Sequence, residues 1–433
     1  MLRHAVRKEY IMGFRLAAGL FILGTLSISL GCSESPRPQS VWVADEKEQP
    51  KEEPKIDEGP RLAFDFDPMM RFGLTVIKDA YGDSLNKRLT FASNGATNST
   101  LLKIDNNYFE FGGPEGMWAP KEERFPNGCR STWALSNSSI MVRQVLKIVL
   151  SEQPVSVAKG VRQRILDTCM IRYEIQNVGT RDHSVGLRMV VDTLIGSNDG
   201  VPFAVPTMGG LIDTCKDFHG AEVPDFIQAL EVHDLKDPGT IAHMTLRAAD
   251  LETPSRVILT LWPGYSPFFS RKWHVPLEPM RQQKLLHIGS QLAQENLSDS
   301  CVALYWQDQP LKPGEKRVVG VAYGLGRLSP SDPAGNLALT WNGSFRAGQE
   351  FSISAYVRNP IERQTLTLEL QPGLELVGGQ PTEYVPLPVA GEKGDTSVVT
   401  WKIKSVYAGK HAVIVRSSTG VVQSHDVIIR STS

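Results

Sequence analysis

The sequence predicts an all-β protein, a large antiparallel β-sandwich followed by a smaller one. Three observations carry this. Apolar and polar residues alternate with period two over many short runs, turn residues separate the runs, and helical periodicity of useful length is scarce. Of the 433 residues 41% are hydrophobic and 21% charged, the balance of a chain that can bury a sizeable core. Lys and Arg number 46 against 47 for Asp and Glu, so no basic excess marks a nucleic-acid partner.

At the N-terminus, Arg3, Arg7, Lys8 and Arg15 form a basic head, and the apolar run from Leu16 to Leu30 is shorter than the ~20 residues a bilayer span needs. Residues 1–31 therefore read as an export signal that is removed. The run ends in Ser29-Leu30-Gly31-Cys32, followed by polar Ser33-Glu34-Ser35-Pro36. This junction resembles the lipobox of bacterial lipoproteins, and the resemblance implies that Cys32 is diacylated, becomes the mature N-terminus and holds the protein to a membrane of the cell envelope. An ordinary secretory cut near Gly31 is the alternative the residues leave open. Residues 32–60 carry Pro36, Pro38, Pro50, Pro54 and Pro60 among alternating acids and Lys, and have too little apolar surface to order themselves. They read as an extended tether. Loss of residues 1–31, with four bases and one acid, takes the formal net charge from -1 to about -4, which leaves no polybasic membrane patch.

From 61 to 328 the alternation continues through Arg71–Ile77, Lys87–Phe91, Tyr108–Phe111, Met141–Leu150, Arg162–Gln176 (broken around Asp167-Thr168), Val185–Leu194, Ile241–Ala248, Val257–Trp262 and Val318–Tyr323. Turn clusters such as Gly112-Gly113-Pro114 and Asp237-Pro238-Gly239 lie between them. The best helical candidate is Pro279–Glu295, weakened by Gly289. Tyr173–Asn177, Arg188–Thr193 and the closing Leu311–Glu315 with Tyr323-Gly324 resemble the galactose mutarotase-like supersandwich of carbohydrate-active enzymes. That resemblance is one of strand and turn vocabulary and implies a fold.

After Ser329-Pro330-Ser331-Asp332-Pro333, a boundary by composition, about 100 residues remain, the size of an immunoglobulin-like sandwich. Leu366–Leu376, with Gly348-Gln349 before it and Val399-Thr400-Trp401 after it, resembles the bacterial surface Ig-like modules of the CARDB and NEW3 type. Such modules act as spacers or adhesion units, so residues 336–433 are expected to space or dock the large sandwich.

Beside Cys32 the chain has Cys129, Cys169, Cys215 and Cys301, compatible with two disulfides or with four buried thiols. Their wide spacing argues against a CxxC redox pair or a zinc cluster. No serine-hydrolase elbow, P-loop, GxGxxG, HxxxH or HExxH motif is present.

Three constellations remain. Asp192–Gly200 ends a strand in an oxygen-rich turn, where Asp192, Asn198 and Asp199 are candidate Ca²⁺ ligands; a plain Asx turn, with Gly200 supplying positive φ, explains the same residues. The aromatic loop 262–274 offers Trp262, Tyr265, Phe268 and Trp273 for stacking on sugar faces, with Arg271 and His274 for polar contacts; the competing reading is that these rings plug the sandwich as core. Met117–Phe125 sets Glu122 and Glu123 beside bases and reads as a solvated loop. The chain is thus expected to be a lipid-anchored envelope protein, in the periplasm or at the cell surface, that binds a glycan or an envelope protein without catalysis. Competing expectations are a carbohydrate-active enzyme of mutarotase, lyase or hydrolase type, with His274, Arg271 or Asp199 near a cleft, and a structural scaffold that binds nothing.

Overall fold

The structure is a computed structural model that describes residues 57–264, 271–288, 291–388 and 395–432, with side chains left aside for 282–288 and 291–297. Two large antiparallel sheets face each other. In the ten-stranded sheet the central strands are Ile241–Thr245, Lys316–Leu325, Leu166–Asn177, Ile140–Leu150 and Gly128–Leu135, in that order. The six-stranded sheet runs Lys216–His219, Arg256–Thr260, Ser300–Leu311, His183–Thr193, Ser99–Ile104 and Asn107–Glu110. Because side chains alternate across a strand, Ile171, Tyr173 and Ile175 of one sheet and Leu187, Met189 and Val191 of the other point into one shared core. A three-stranded sheet, Leu62–Phe66, Phe72–Lys78 and Ser84–Arg88, adds Leu62, Phe72, Leu74 and Val76 to it. The irregularity expected at Asp167-Thr168 is a register shift between Leu166 and Thr168 where the strand pairs with Ile140–Leu150.

The expected helix at Pro279–Glu295 is instead a hairpin, Arg281–Ile288 paired with Gln291–Ser298. The run is rich in helix formers, but Gly289-Ser290 divides it into two strand-length pieces, and pairing outweighs weak local propensity. Among the described residues the only helical element is a 3-10 turn at Gly220–Glu222.

Beyond residue 336, two four-stranded sheets enclose their own core, which includes Phe345, Phe351, Ile353, Trp401 and Val415. The sheet of Leu337–Gly343, Glu350–Arg358, Thr396–Ser405 and Leu374–Leu376 turns its other face to the large sandwich. There Ala338, Tyr356 and Val398 bury against Ala204, Leu230 and Ile241. Polar contacts lock the seam: Tyr356 donates its hydroxyl proton to Gln228 Oε1 (2.8 Å), and Asn342 Oδ1 accepts from His243 Nε2 and Thr245 Oγ1, each at 2.8 Å. Residues Pro54–Ser433 accordingly pack as one unit.

Cys129, Cys169, Cys215 and Cys301 are free thiols, all buried except Cys215, which is half-buried. Burial pushes the Cys169 thiol up to about 12 and Cys301 well above its ordinary value, so both behave as small core groups.

Candidate metal centre and ligand-binding face

The His183–Thr193 strand is buried on both sides. Leu187, Met189 and Val191 enter the main core, while Arg188, Val190 and Asp192 point to the opposite, outer face of the six-stranded sheet. At the end of that face Asp192 is 1% exposed, its backbone N–H donating to Asn98 Oδ1 (2.8 Å) and its carbonyl accepting from Phe91 N (3.1 Å). The chain then turns tightly, with Ile195 and Asn198 exchanging backbone hydrogen bonds at 2.9 Å, and returns Asp199 toward Asp192. Asp299, just ahead of the Ser300–Leu311 strand, completes the group; Ser300 Oγ donates to the Asp199 carbonyl (3.1 Å) and Asp299 N to the Met280 carbonyl (3.1 Å).

One oxygen from each of Asp192, Asp199 and Asp299 lies within 4.8 Å of the other two. Oδ1 of each of the three, and the Thr97 hydroxyl, are buried without a hydrogen-bond partner. No ion pair reaches any of the three carboxylates among the described residues. Burial, then the hydroxyl of Thr97 pulling downward against the charges of Asp299 and Asp199, leaves Asp192 pushed up to about 8. Burial and the Asp199 charge push Asp299 up to about 7, and burial raises Asp199. Three carboxyl groups thus share one buried space beside the Thr97 hydroxyl, an arrangement that favours protonation or a divalent cation. The donors are all hard oxygens, which suits Ca²⁺ or Mg²⁺ and not a thiolate- or imidazole-bound metal.

The loop itself departs from an Asx turn. The Asn198 side chain does not bond its own backbone among the described residues; its Nδ2 donates to the Glu231 carbonyl (3.1 Å). The positive φ of +62° is at Gly196, where a Cβ would come within 2.0 Å of the Glu231 carboxyl; Gly200 is required by the close approach of Ser298 Oγ, 1.6 Å from where its Cβ would be. Glu231 holds the turn, accepting from Lys87 Nζ (2.7 Å), Ser197 N and Oγ (2.9 Å each) and Thr240 N (2.9 Å).

The chain around 271–276 lies across the same outer face. Trp273, 5% exposed, packs with Val275, Val190, Ile258 and Tyr305, so this ring is part of the core; its edge-to-face contact with Tyr305 has centroids 5.6 Å apart. Val275 N donates to the Tyr305 hydroxyl (3.0 Å), and Arg188 donates to the Lys272 carbonyl. Trp262 is half-buried, with Nε1 donating to the Thr97 carbonyl (3.2 Å), which ties the aromatic segment to the carboxylate cluster. Arg271 and His274 are exposed, Arg271 pairing with Glu115 at 2.9 Å. Tyr265 and Phe268 lie outside the described residues. The alternation of the Asn107–Glu110 strand supplies a ring that sequence reasoning passed over: Tyr108, 42% exposed, stacks on Trp273 with centroids 6.1 Å apart and planes 23° apart. Asp299 was also passed over; Ser298-Asp299-Ser300 at a strand start is its one sequence signal.

No protein-family model matches the chain, and no curated protein matches it. Solved structures similar to it include a polysaccharide lyase, at 12% identity over 87% of this chain with a TM-score of 0.29. This chain spans 48% of that lyase, about half its length. A galactose mutarotase related enzyme from Lactobacillus acidophilus aligns at 7% identity over 61% of this chain and 97% of its own, with a TM-score of 0.31. The galactosidase domain of an alpha-galactosidase-sucrose kinase aligns at 8% identity over 61% of this chain and 41% of its own, with a TM-score of 0.28. Likenesses at this level fix no chemistry, because one sandwich architecture hosts many activities.

Proposed function

We propose that the chain is an exported envelope protein, anchored to a membrane by lipid on Cys32, that binds a glycan on the outer face of its six-stranded sheet beside a Ca²⁺ ion held by Asp192, Asp199 and Asp299. The observation that carries the glycan reading is the half-exposed Tyr108 ring, braced from behind by buried Trp273 and therefore presented at little entropic cost. A flat, rigid aromatic surface suits the apolar face of a sugar; the segment around 271–276 supplies Arg271 and His274 for its hydroxyls, and Glu115, paired with Arg271, comes from the turn after the Asn107–Glu110 strand. In this arrangement Trp273 acts through Tyr108.

The test is a glycan-array screen of the mature chain, with Ca²⁺ and with chelator. Saturable binding that is lost in Tyr108→Ala is expected; no binding, or binding indifferent to Tyr108→Ala, overturns the reading. The anchor is tested separately. Cys32→Ser is expected to move the protein from the membrane fraction to the soluble one, and an unchanged distribution speaks against lipidation.

One observation favours a second reading, catalysis. His219 Nε2 lies 3.0 Å from Asp217 Oδ1 on the edge strand of the same sheet, and Arg256, which holds Asp217 through two hydrogen bonds at 2.8 and 2.6 Å, lies over the Tyr305 ring. Turnover of the bound glycan, abolished in His219→Ala, distinguishes an enzyme from a binding protein.

A further inference from the structure

The seam between the large sandwich and the C-terminal pair of sheets opens into two clefts, of about 390 and 780 Å³, that share Leu325-Gly326-Arg327 and Trp341 as a common wall. Neither touches the carboxylate cluster or Tyr108. Both fall within the size range of small-ligand sites, and boundaries between packed units are where such sites concentrate.

The smaller cleft is lined by three guanidinium groups, and their pairing is unequal. Arg327 is neutralised by buried Asp167 (2.5 Å) and Arg247 by Asp225 (2.7 Å). Arg346 has no ion pair among the described residues. Its neighbours add to the imbalance. Arg346 and Arg430 are bridged backbone to backbone, Arg430 reaches Glu152, and Arg430 Nε is buried without a hydrogen-bond partner. Arg164, whose Nη2 donates to the Leu150 carbonyl (3.3 Å) at the rim, is held below its ordinary value first by burial and then by the charge of Arg430, with Arg346 adding to it. Arg164 and Arg346 thus lie near the Arg430–Glu152 pair, where Glu152 and the Arg327-paired Asp167 are the carboxylates that offset them.

Two further groups face the same space. Asn342 is 7% exposed and lines the cleft; its Oδ1 is taken by His243 and Thr245, and its Nδ2 has no protein partner among the described residues. Trp341 is locked in orientation by stacking on His425, with centroids 3.7 Å apart and planes 15° apart. A planar cation fork matches a carboxylate or sulfate in two-point geometry, an amide N–H donates to a ring or hydroxyl oxygen, and a fixed indole accepts the apolar face of a pyranose.

We infer that the seam cleft is a second binding site, for an anionic saccharide bearing a carboxylate or a sulfate, with Arg346 as its principal anion contact. The site is independent of the glycan face proposed above. Its occupant would bridge the two halves of the molecule, since Asp167, Arg247 and Arg327 come from the large sandwich and Trp341, Asn342 and Arg346 from the C-terminal sheets.

Calorimetric titration of the mature chain with a galacturonic acid disaccharide, a sulfated disaccharide and neutral lactose tests this. Binding of at least one acidic probe is expected, weakened by added salt, reduced at least about tenfold in Arg346→Ala, partly restored in Arg346→Lys and unaffected by Tyr108→Ala. Which acidic probe binds identifies the anion. Equal binding of lactose, no binding of either acidic probe, or unchanged affinity in Arg346→Ala overturns the inference. Loss in Tyr108→Ala assigns the binding to the sheet face and also overturns it.

Discussion

Two carboxyl groups flank the Ile195–Gly200 loop, and the fold treats them in opposite ways. Glu231 is 7% exposed and Asp192 1%, so both are buried. Glu231 accepts from an ammonium, two backbone N–H groups and a hydroxyl, and despite the upward push of burial these hold it down at about 2. Asp192 faces Asp199 and Asp299, lacks an ion pair and is pushed up to about 8. Burial alone therefore does not decide the state of a carboxyl group; the number of donors aimed at it does. The protein surrounds Glu231 with donors from its own chain, whereas around Asp192 it gathers two further carboxyl groups and no cation among the described residues.

The largest test of this contrast is addition of Ca²⁺. A cation bound by the folded state alone stabilises by about 2.7 kcal/mol at a hundredfold excess over Kd. Thermal unfolding followed with and without Ca²⁺ is expected to show a rise in Tm for the wild type and none for Asp192→Asn. In chelator the substitution is expected to leave Tm near that of the wild type, because burial already pushes the Asp192 carboxyl up to about 8 and keeps it largely neutral at pH 7, as the amide is. A wild-type Tm indifferent to Ca²⁺ and Mg²⁺ alike would remove the metal from the Asp192 site and the contrast with it.

That difference was half legible in the sequence. Strand alternation ending in Asp192 and the oxygen-rich turn to Asp199 are local signals, and both groups are in the cluster. Asp299 arrives from a distant strand start, and local pattern cannot say that Ser300–Leu311 lies beside His183–Thr193. The hydrogen bond that ties Asn198 to Glu231 is hidden for the same reason, since Glu231 is remote in sequence. The aromatic segment shows the limit of composition: rings on a loop are equally compatible with core and with a platform, and it is packing against Val190, Ile258 and Tyr305 of the six-stranded sheet that buries Trp273, while Tyr108 on the edge strand stays half-exposed. The all-β architecture was readable because period-two alternation is local; the hairpin at Arg281–Ser298 was not, because its composition favours helix and only pairing decides.

A smaller effect is expected at the other end of the loop. Glu231→Gln keeps the shape of the side chain and removes its charge, weakening the contact with Lys87 and the charge-assisted hydrogen bonds to Ser197 and Thr240, at a cost of about 1.5 kcal/mol near pH 7. The dependence on pH gives its signature. Glu231 has an ordinary value of 4.5 and lies at about 2 in the folded protein, so between those values the unfolded chain binds more protons than the folded one. The stabilisation it contributes is complete above about pH 4.5 and is lost as pH falls through about 2. Urea midpoints of the wild type and Glu231→Gln, compared at pH 7, 4 and 3, are expected to differ most at pH 7 and to converge in acid. A gap that stays constant with pH would mean that the shape of the loop, and not the charge of the carboxylate, is what Glu231 supplies.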